Sequence, residues 1–173
     1  MAELWDRYDK ERNITGRFAE RGVSKLKEGE YHLVAVATII NSKNEILITQ
    51  RAPTKKTEPL KWELTGGSII AGEDSLQGIL REIREEIGLN FKAEDAMLLR
   101  TIIKHGTLAS IKDIWLFKKD VKIEDIKFAD GEVIDAKWVT IDEFLKMKEK
   151  NKMVSTINFG MEEYELALKK INN

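Results

Sequence analysis

Three glutamates at helical spacing are the strongest chemical feature of the sequence. Glu82, Glu85 and Glu86 lie three and four residues apart, so a helix places their carboxylates on one face. Neighbouring carboxylates repel each other by about 0.2–0.5 kcal/mol per close pair on an exposed helix, so helix stability alone does not favour them. Hard oxygen ligands of this kind suit Mg²⁺ or Mn²⁺. The alternative is a solvated acidic face that Arg81 and Arg84 partly neutralise.

The residues around these glutamates favour the metal site. The stretch from Gly67 to Leu89 reads GSIIAGEDSLQGILREIREEIGL. Glycine has no side chain, so the backbone at Gly66 and Gly67 can approach a metal ion or a phosphate closely. Apolar residues at helical spacing predict a helix over 74–87, and Gly88 suits the left-handed conformation that often ends one. The apolar stripe of this helix comprises Leu76, Ile79, Leu80, Ile83 and Ile87.

The rest of the chain predicts strands on both sides of this helix. A polar turn between two short patterns at 4–9 and 14–20 predicts an N-terminal hairpin, and the apolar run 31–40 predicts a strand buried on both faces. The remaining predicted strands are 45–51, 61–65, 97–104, 108–118 and 132–140, and the remaining predicted helices are 141–150 and 155–170. This order predicts an α/β sandwich with a mixed β-sheet.

The bulk properties narrow the class of protein. A chain of 173 residues favours one domain, 1–173, with a hairpin extension at 1–30 and a C-terminal helix at 151–173. The net charge of −1 gives no general attraction to nucleic acid or to anionic membranes, and no apolar run is long enough to span a bilayer. The absence of cysteine excludes disulfides and thiol chemistry. The N-terminus lacks the pattern of a signal peptide, so we expect a cytoplasmic protein.

The spacing of Gly67, Glu73, the glutamates of the helix and Gly88 resembles the signature of the Nudix hydrolase family at every fixed position. The resemblance extends over about 31–145, and it implies an α/β/α sandwich with a mixed sheet. It also implies that Glu82, Glu85 and Glu86 bind the metal, with the carbonyl of Gly67 as a further ligand. Glu73 and Arg81 resemble the pair that fixes the glycine loop against the helix.

Within the family, the hairpin and the segment RAPTKK resemble the branch that includes the type 1 isopentenyl diphosphate isomerases. That resemblance implies that Arg51 and Lys55 grip a diphosphate, although both could be solvated loop cations. Gly66 stands about where the isomerases carry a catalytic cysteine, which disfavours isomerase chemistry. His32 matches another isomerase histidine, but a strand residue is the simpler interpretation.

The function implied by the resemblance is hydrolysis of a phosphoanhydride bond in a nucleoside diphosphate linked to another group, or in a related organic diphosphate. Glu85 or Glu86 would orient or deprotonate water. Glu132 resembles a loop carboxylate that acts as a base or an extra ligand in several members, and Asp130 competes for that role. The alternatives are an isomerase-like enzyme and a module that binds a diphosphate without cleaving it. A small diphosphate is the expected partner, a homodimer is possible, and the leaving group is not predicted.

Overall fold

The computed structural model describes residues 3–106, 109–128 and 131–172. Nine strands and three α-helices lie in these ranges. The strands are β1 Leu4–Tyr8, β2 Ile14–Glu20, β3 His32–Ile40, β4 Ile46–Arg51, β5 Trp62–Glu63, β6 Gly66–Ser68, β7 Ala96–Lys104, β8 Ser110–Lys118 and β9 Val133–Val139. The helices are α1 Ser75–Ile87, α2 Ile141–Glu149 and α3 Met161–Asn172.

The main sheet is mixed, as the sequence predicts. Its strands run in the order β5-β4-β3-β8-β7, while β6 pairs with β3 and β9 pairs with β4. The pair β3–β8 is parallel over its whole length, and the other pairs are antiparallel. The apolar strand β3 therefore contacts three neighbours, which accounts for its nearly continuous burial.

Helices cover both faces of this sheet. Side chains alternate along a strand, so Ala35, Ala37 and Ile39 of β3 pack with α1, while Val36 and Ile40 pack with the cluster that contains α2 and α3. The result is the α/β/α sandwich that the resemblance implies.

Helix α1 agrees with its prediction at both ends and along its apolar stripe. Asp74 forms a capping box with Gln77, and Gly88 adopts φ = +70° at the C-terminal end. Ile79, Ile83 and Ile87 are fully buried, and the other two stripe residues, Leu76 and Leu80, pack against the same cluster. The burial of one face leaves the glutamates on the face beside β6.

The N-terminal hairpin packs against β3, β8 and the loop before α1. Trp5 stacks on His32 at 4.6 Å between ring centroids, and Asp6 accepts a hydrogen bond of 2.8 Å from the backbone of Gly72, just before α1. Arg12 forms a bidentate pair with Asp113 of β8. His32 is a buried strand residue, as expected, and burial lowers its pKa.

Two elements differ from the sequence prediction. The glycine pair belongs to a short strand, β6, rather than to a loop, because its backbone pairs with Val36 and Ala35 of β3. The C-terminal helix begins at Met161, so the prediction of helix from 155, and across 151–173, is wrong at its start. Residues 151–160 instead run along the sheet, where Met153 forms a bridge with Trp62 and Phe159 is buried. None of the helices in the described ranges combines the length and apolarity needed to cross a membrane.

Candidate active site

A cleft of about 840 Å³ lies where α1, β6 and the loop after β4 meet. The carboxylates of α1 form one wall, and the cations of the loop form the opposite wall. The lining residues that the sequence singled out are Arg51, Lys55, Gly67, Glu82, Glu85, Glu86 and Glu132. The structure therefore brings the predicted ligands, bases and diphosphate-binding cations together in one cavity.

Glu86 is the buried carboxylate of this cleft. Only 8% of the residue is exposed, and its nearest donor is the backbone N–H of Gly66 at 3.3 Å. Burial, together with the charges of Glu63 and Glu82, raises the pKa of Glu86 to about 8. An acidic group this poorly compensated is costly to ionise, and groups of this kind cluster at functional sites.

Arg81 supplies positive charge to the outer part of the cluster. Its guanidinium bonds Glu73 at 3.1 Å, Glu82 at 2.8 Å and Glu85 at 2.9 Å. The bond to Glu73 ties the loop before α1 to the helix, which is the architectural role that the resemblance implies for this pair. Although burial lowers the pKa of Arg81, the surrounding carboxylates raise it above its usual value. Across the described ranges, no three carboxylates are gathered as ligands of one ion in this arrangement.

Gly67 lies directly against the carboxylate of Glu82. A Cβ atom added at Gly67 would lie 2.6 Å from Oε1, 2.7 Å from Cδ and 2.9 Å from Oε2 of Glu82, closer than van der Waals contact allows. The close approach of backbone and carboxylate explains why a residue without a side chain occupies this position.

The opposite wall holds two ion pairs that the sequence did not predict. Arg51 binds Glu63 at 2.8 Å and also donates to the carbonyl of Thr57, while Lys55 pairs with Glu132. Burial, and then the charge of Arg51, lowers the pKa of Lys55. Arg51 is thus held by the fold and is not a free loop cation. Asp130, the alternative to Glu132, lies outside the described residues.

The family model described as the NUDIX domain matches residues 30–157. An uncharacterized Nudix hydrolase of Listeria monocytogenes is 33% identical over 153 residues, which cover 88% of both chains.

The chain belongs to the Nudix family.

The family is one of hydrolases, and the expectation drawn from the signature is confirmed. Solved Nudix structures share the fold. A crystal structure from Deinococcus radiodurans superposes with a TM-score of 0.73 at 20% identity, over 96% of this chain and 98% of that one. The NUDIX domain of Shewanella oneidensis NrtR, in complex with ADP ribose, superposes with a TM-score of 0.57 at 16% identity, over 82% of this chain and 87% of that one.

Two charged residues in or beside this Nudix cleft are not predicted by the sequence patterns. Glu63 is half-buried beside Glu86 and pairs with Arg51, and only its position between Trp62 and the glycine pair marks it. Arg21 lines the cleft from the end of the hairpin, where Glu3 holds it at 2.8 Å. Arg21 precedes the region matched by the family model, so its role depends on the docking of the hairpin.

The donor set of the Nudix cleft fits a hard divalent cation. The charge of Glu82 adds to burial in raising the pKa of Glu86. Burial, with the charge of Glu85 adding to it, also raises the pKa of Glu82 despite its bond to Arg81. The close backbone at Gly67 adds a possible carbonyl ligand. Oxygen donors of this type, with acidic groups in excess, are those that Mg²⁺ and Mn²⁺ prefer.

Proposed function

We propose that this Nudix protein hydrolyses a phosphoanhydride bond in a nucleoside diphosphate linked to another group, or in a related organic diphosphate, with Mg²⁺ or Mn²⁺. The observation that supports it is the buried carboxylate of Glu86, which lies beside Glu82 on α1 in a cleft that Arg51 and Lys55 also line. Acidic groups on one side and cations on the other suit a metal–diphosphate complex. The ADP ribose complex of a Nudix neighbour supports a ligand of this class.

In this proposal, residues on one side of the cleft bind the cation and residues on the other side bind the diphosphate. Glu82, Glu86 and the carbonyl of Gly67 hold the cation, and Glu85 completes the set at the mouth of the cleft. A bound divalent cation would neutralise phosphate charge and make water more acidic. Arg51, fixed by Glu63, and Lys55 bind the diphosphate oxygens from the opposite side.

Glu85 is the carboxylate best placed to meet water. Its side chain is 54% exposed, whereas Glu86 is buried. We propose that Glu85 orients or deprotonates the attacking water, an effect worth about 10²–10⁴-fold. This role requires Arg81 to release Glu85 and keep its bond to Glu73. Glu132 is the second candidate, and it must first leave Lys55.

A diphosphate-binding module without catalysis is the second candidate function. It is favoured by the bonds of Arg81 to Glu82 and Glu85, which keep these carboxylates from meeting at one ion. Such a module binds a diphosphate and releases no product. Location in the cytoplasm belongs to the proposal as well, and a homodimer remains a prediction.

The test is a substrate panel with product analysis. The pure protein is incubated with Mg²⁺ and with ADP ribose, nucleoside diphosphate sugars, dinucleoside polyphosphates and isopentenyl diphosphate. We expect release of a phosphomonoester from at least one nucleoside compound, and isomerised isopentenyl diphosphate would instead establish the isomerase alternative. Glu85→Gln keeps size and hydrogen bonding but removes charge, with Glu94→Gln as the exposed control. Turnover by Glu85→Gln within twofold of wild type rejects the proposed site, and binding without turnover supports the module.

A further inference from the structure

A second cavity, which we call the apolar slot, adjoins the cleft. It has a volume of about 120 Å³ and shares Gly66 and Gly67 with the cleft. Six aliphatic side chains form most of its walls, and the polar groups at its rim come from four residues. The aliphatic residues are Val34, Val36, Leu64, Ile114, Val154 and Ile157, and the polar ones are Glu63, Lys112, Thr156 and Asn158.

The floor of the slot is the sheet itself. Val36 lies between Gly66 on one side and Ile114 on the other, and Val34 lies between Ser68 and Lys112. Two strand spacings, about 10 Å, therefore separate the backbone of the glycine pair from that of Lys112. The segment 154–158 forms the other wall. A ligand with its diphosphate in the cleft would extend past the glycines onto this floor.

Lys112 is the unusual group of the slot. Its ammonium donates to the carbonyl of Thr156 at 2.9 Å and to Oδ1 of Asn158 at 2.8 Å. Within residues 3–106, 109–128 and 131–172, no carboxylate lies within ion-pair distance of it. Burial, and then the charge of Lys104, lowers the pKa of Lys112. A half-buried cation with neutral partners retains a donor for an acceptor on a ligand.

We propose that the apolar slot binds the nucleobase of the substrate and that Lys112 selects a base with a carbonyl oxygen, such as guanine, over adenine. This inference rests on the proposed function, because it identifies the organic group of the same diphosphate. Aliphatic walls on a flat strand floor fit a planar ring. A prenyl chain would bury Lys112 without an acceptor, and a second phosphate would meet mostly aliphatic carbon.

The donor chemistry of Lys112 sets the direction of selection. An ammonium group only donates, so it bonds the carbonyl at C6 of guanine and repels the amino group that adenine carries there. A site built to hydrogen-bond one group discriminates strongly against an analogue that lacks it. Asn158 and Thr156 hold the ammonium at the rim, so they position Lys112 and do not replace it.

The test compares matched substrates that differ only in the base. We expect kcat/KM for a GDP-linked sugar to exceed that for the ADP-linked sugar by about tenfold or more, the value of one charged hydrogen bond. Lys112→Met keeps the apolar stem and should remove this preference. Lys118→Met is the control, because Lys118 is exposed on the same strand outside the slot. A preference that survives Lys112→Met, or its absence in the wild type, overturns the inference.

Binding without catalysis separates this inference from the proposed function. We expect titration calorimetry with GMP and AMP, without metal, to show tighter binding of GMP, and to show the difference lost in Lys112→Met. If the protein binds GMP more tightly than AMP but hydrolyses nothing, the base-binding slot is supported and the proposed hydrolase activity is rejected. If it hydrolyses a diphosphate but binds GMP and AMP equally, the hydrolase activity is supported and the base-binding slot is rejected. If Lys112→Met does not fold, Asn158→Asp replaces it, because residue 158 is exposed and tolerates the change. The new carboxylate pairs with Lys112 and competes with the base, so the preference for GMP should again be lost.

Discussion

Replacing Glu86 by glutamine should make the metal-free protein more stable while removing its response to metal. The pKa of Glu86 rises from 4.5 to about 8 on folding, because of burial and then of Glu63 and Glu82. A carboxyl group with a raised pKa in the folded state leaves stability intact below pH 4.5. It lowers stability progressively as the pH rises toward 8. At pH 7 the loss amounts to about 3 kcal/mol.

Glu86→Gln removes this loss, and glutamine keeps the acceptor for the N–H of Gly66. Burial of the side-chain NH₂ of glutamine offsets some of the gain. We therefore expect the free energy of unfolding to rise by about 2–3 kcal/mol at pH 7, or Tm to rise by roughly 5–10 °C. The gain should be near zero at pH 4.5 and largest at pH 8. Urea unfolding of both proteins in EDTA at three pH values measures it.

Glu85→Gln is the matched control, because this carboxylate lies in the same cleft but is 54% exposed. Its metal-free stability should change by only about 0.5 kcal/mol. Both variants should lose most of the stabilisation that Mg²⁺ gives the wild type. If Glu86→Gln is no more stable than wild type at pH 8 without metal, the reasoning from buried charge is wrong.

Three further substitutions test other parts of the structure. Gly67→Ala should lower kcat by about 10²-fold with Mg²⁺, because its Cβ displaces the carboxylate of Glu82. Arg12→Ala should lower the free energy of unfolding in urea by about 1–3 kcal/mol, because buried Asp113 loses a charged donor that is itself partly exposed. Arg21→Ala should raise KM for the diphosphate substrate about two- to fivefold and leave kcat unchanged, because Arg21 touches only the rim of the cleft.

Controls distinguish the effects of the two arginine substitutions. Arg17→Ala removes a cation of the same hairpin that pairs with Glu30 and does not line the cleft, so its KM should stay at the wild-type value. The control for Arg12→Ala is its pH dependence. Burial raises the pKa of Asp113, but hydrogen bonds from Arg12 and its neighbours lower it further, so that it lies below 3.8. The stability from this pair is thus present above pH 3.8 and lost at lower pH. A deficit of Arg12→Ala that persists unchanged at pH 2.5 contradicts this account.

Local patterns predict the parts of the fold that local physics determines. The stripe of α1, its glycine stop and the apolar strand β3 follow from spacing and composition, and the structure agrees. The sequence pattern predicts a loop at the glycine pair and does not show strand β6, because the pairing of β6 with β3 is a contact between residues distant in the chain. The pattern predicts too early a start for the last helix, since Ile157 and Phe159 pack into the core beside Phe144 of α2 without forming a helix.

The residues of the candidate site also differ in how far local sequence patterns predict them. The glutamates of α1 could be predicted because one helix carries them all. Their different surroundings could not, since the burial of Glu86 and the exposure of Glu85 depend on what packs beside β6. Glu63, Arg21 and Lys112 come from separate strands and turns, and no spacing in the sequence joins them to the glutamates.

Because the two cavities share only the glycine pair, each could be altered separately. Bond cleavage is proposed on the α1 side of the sheet and base selection on the α2–α3 side, with only two residues common to both cavities. The segment 154–158 could then be exchanged with that of another Nudix protein to alter substrate choice, while the machinery for cleavage stays untouched. Such grafts offer a modular route to new specificities on this scaffold.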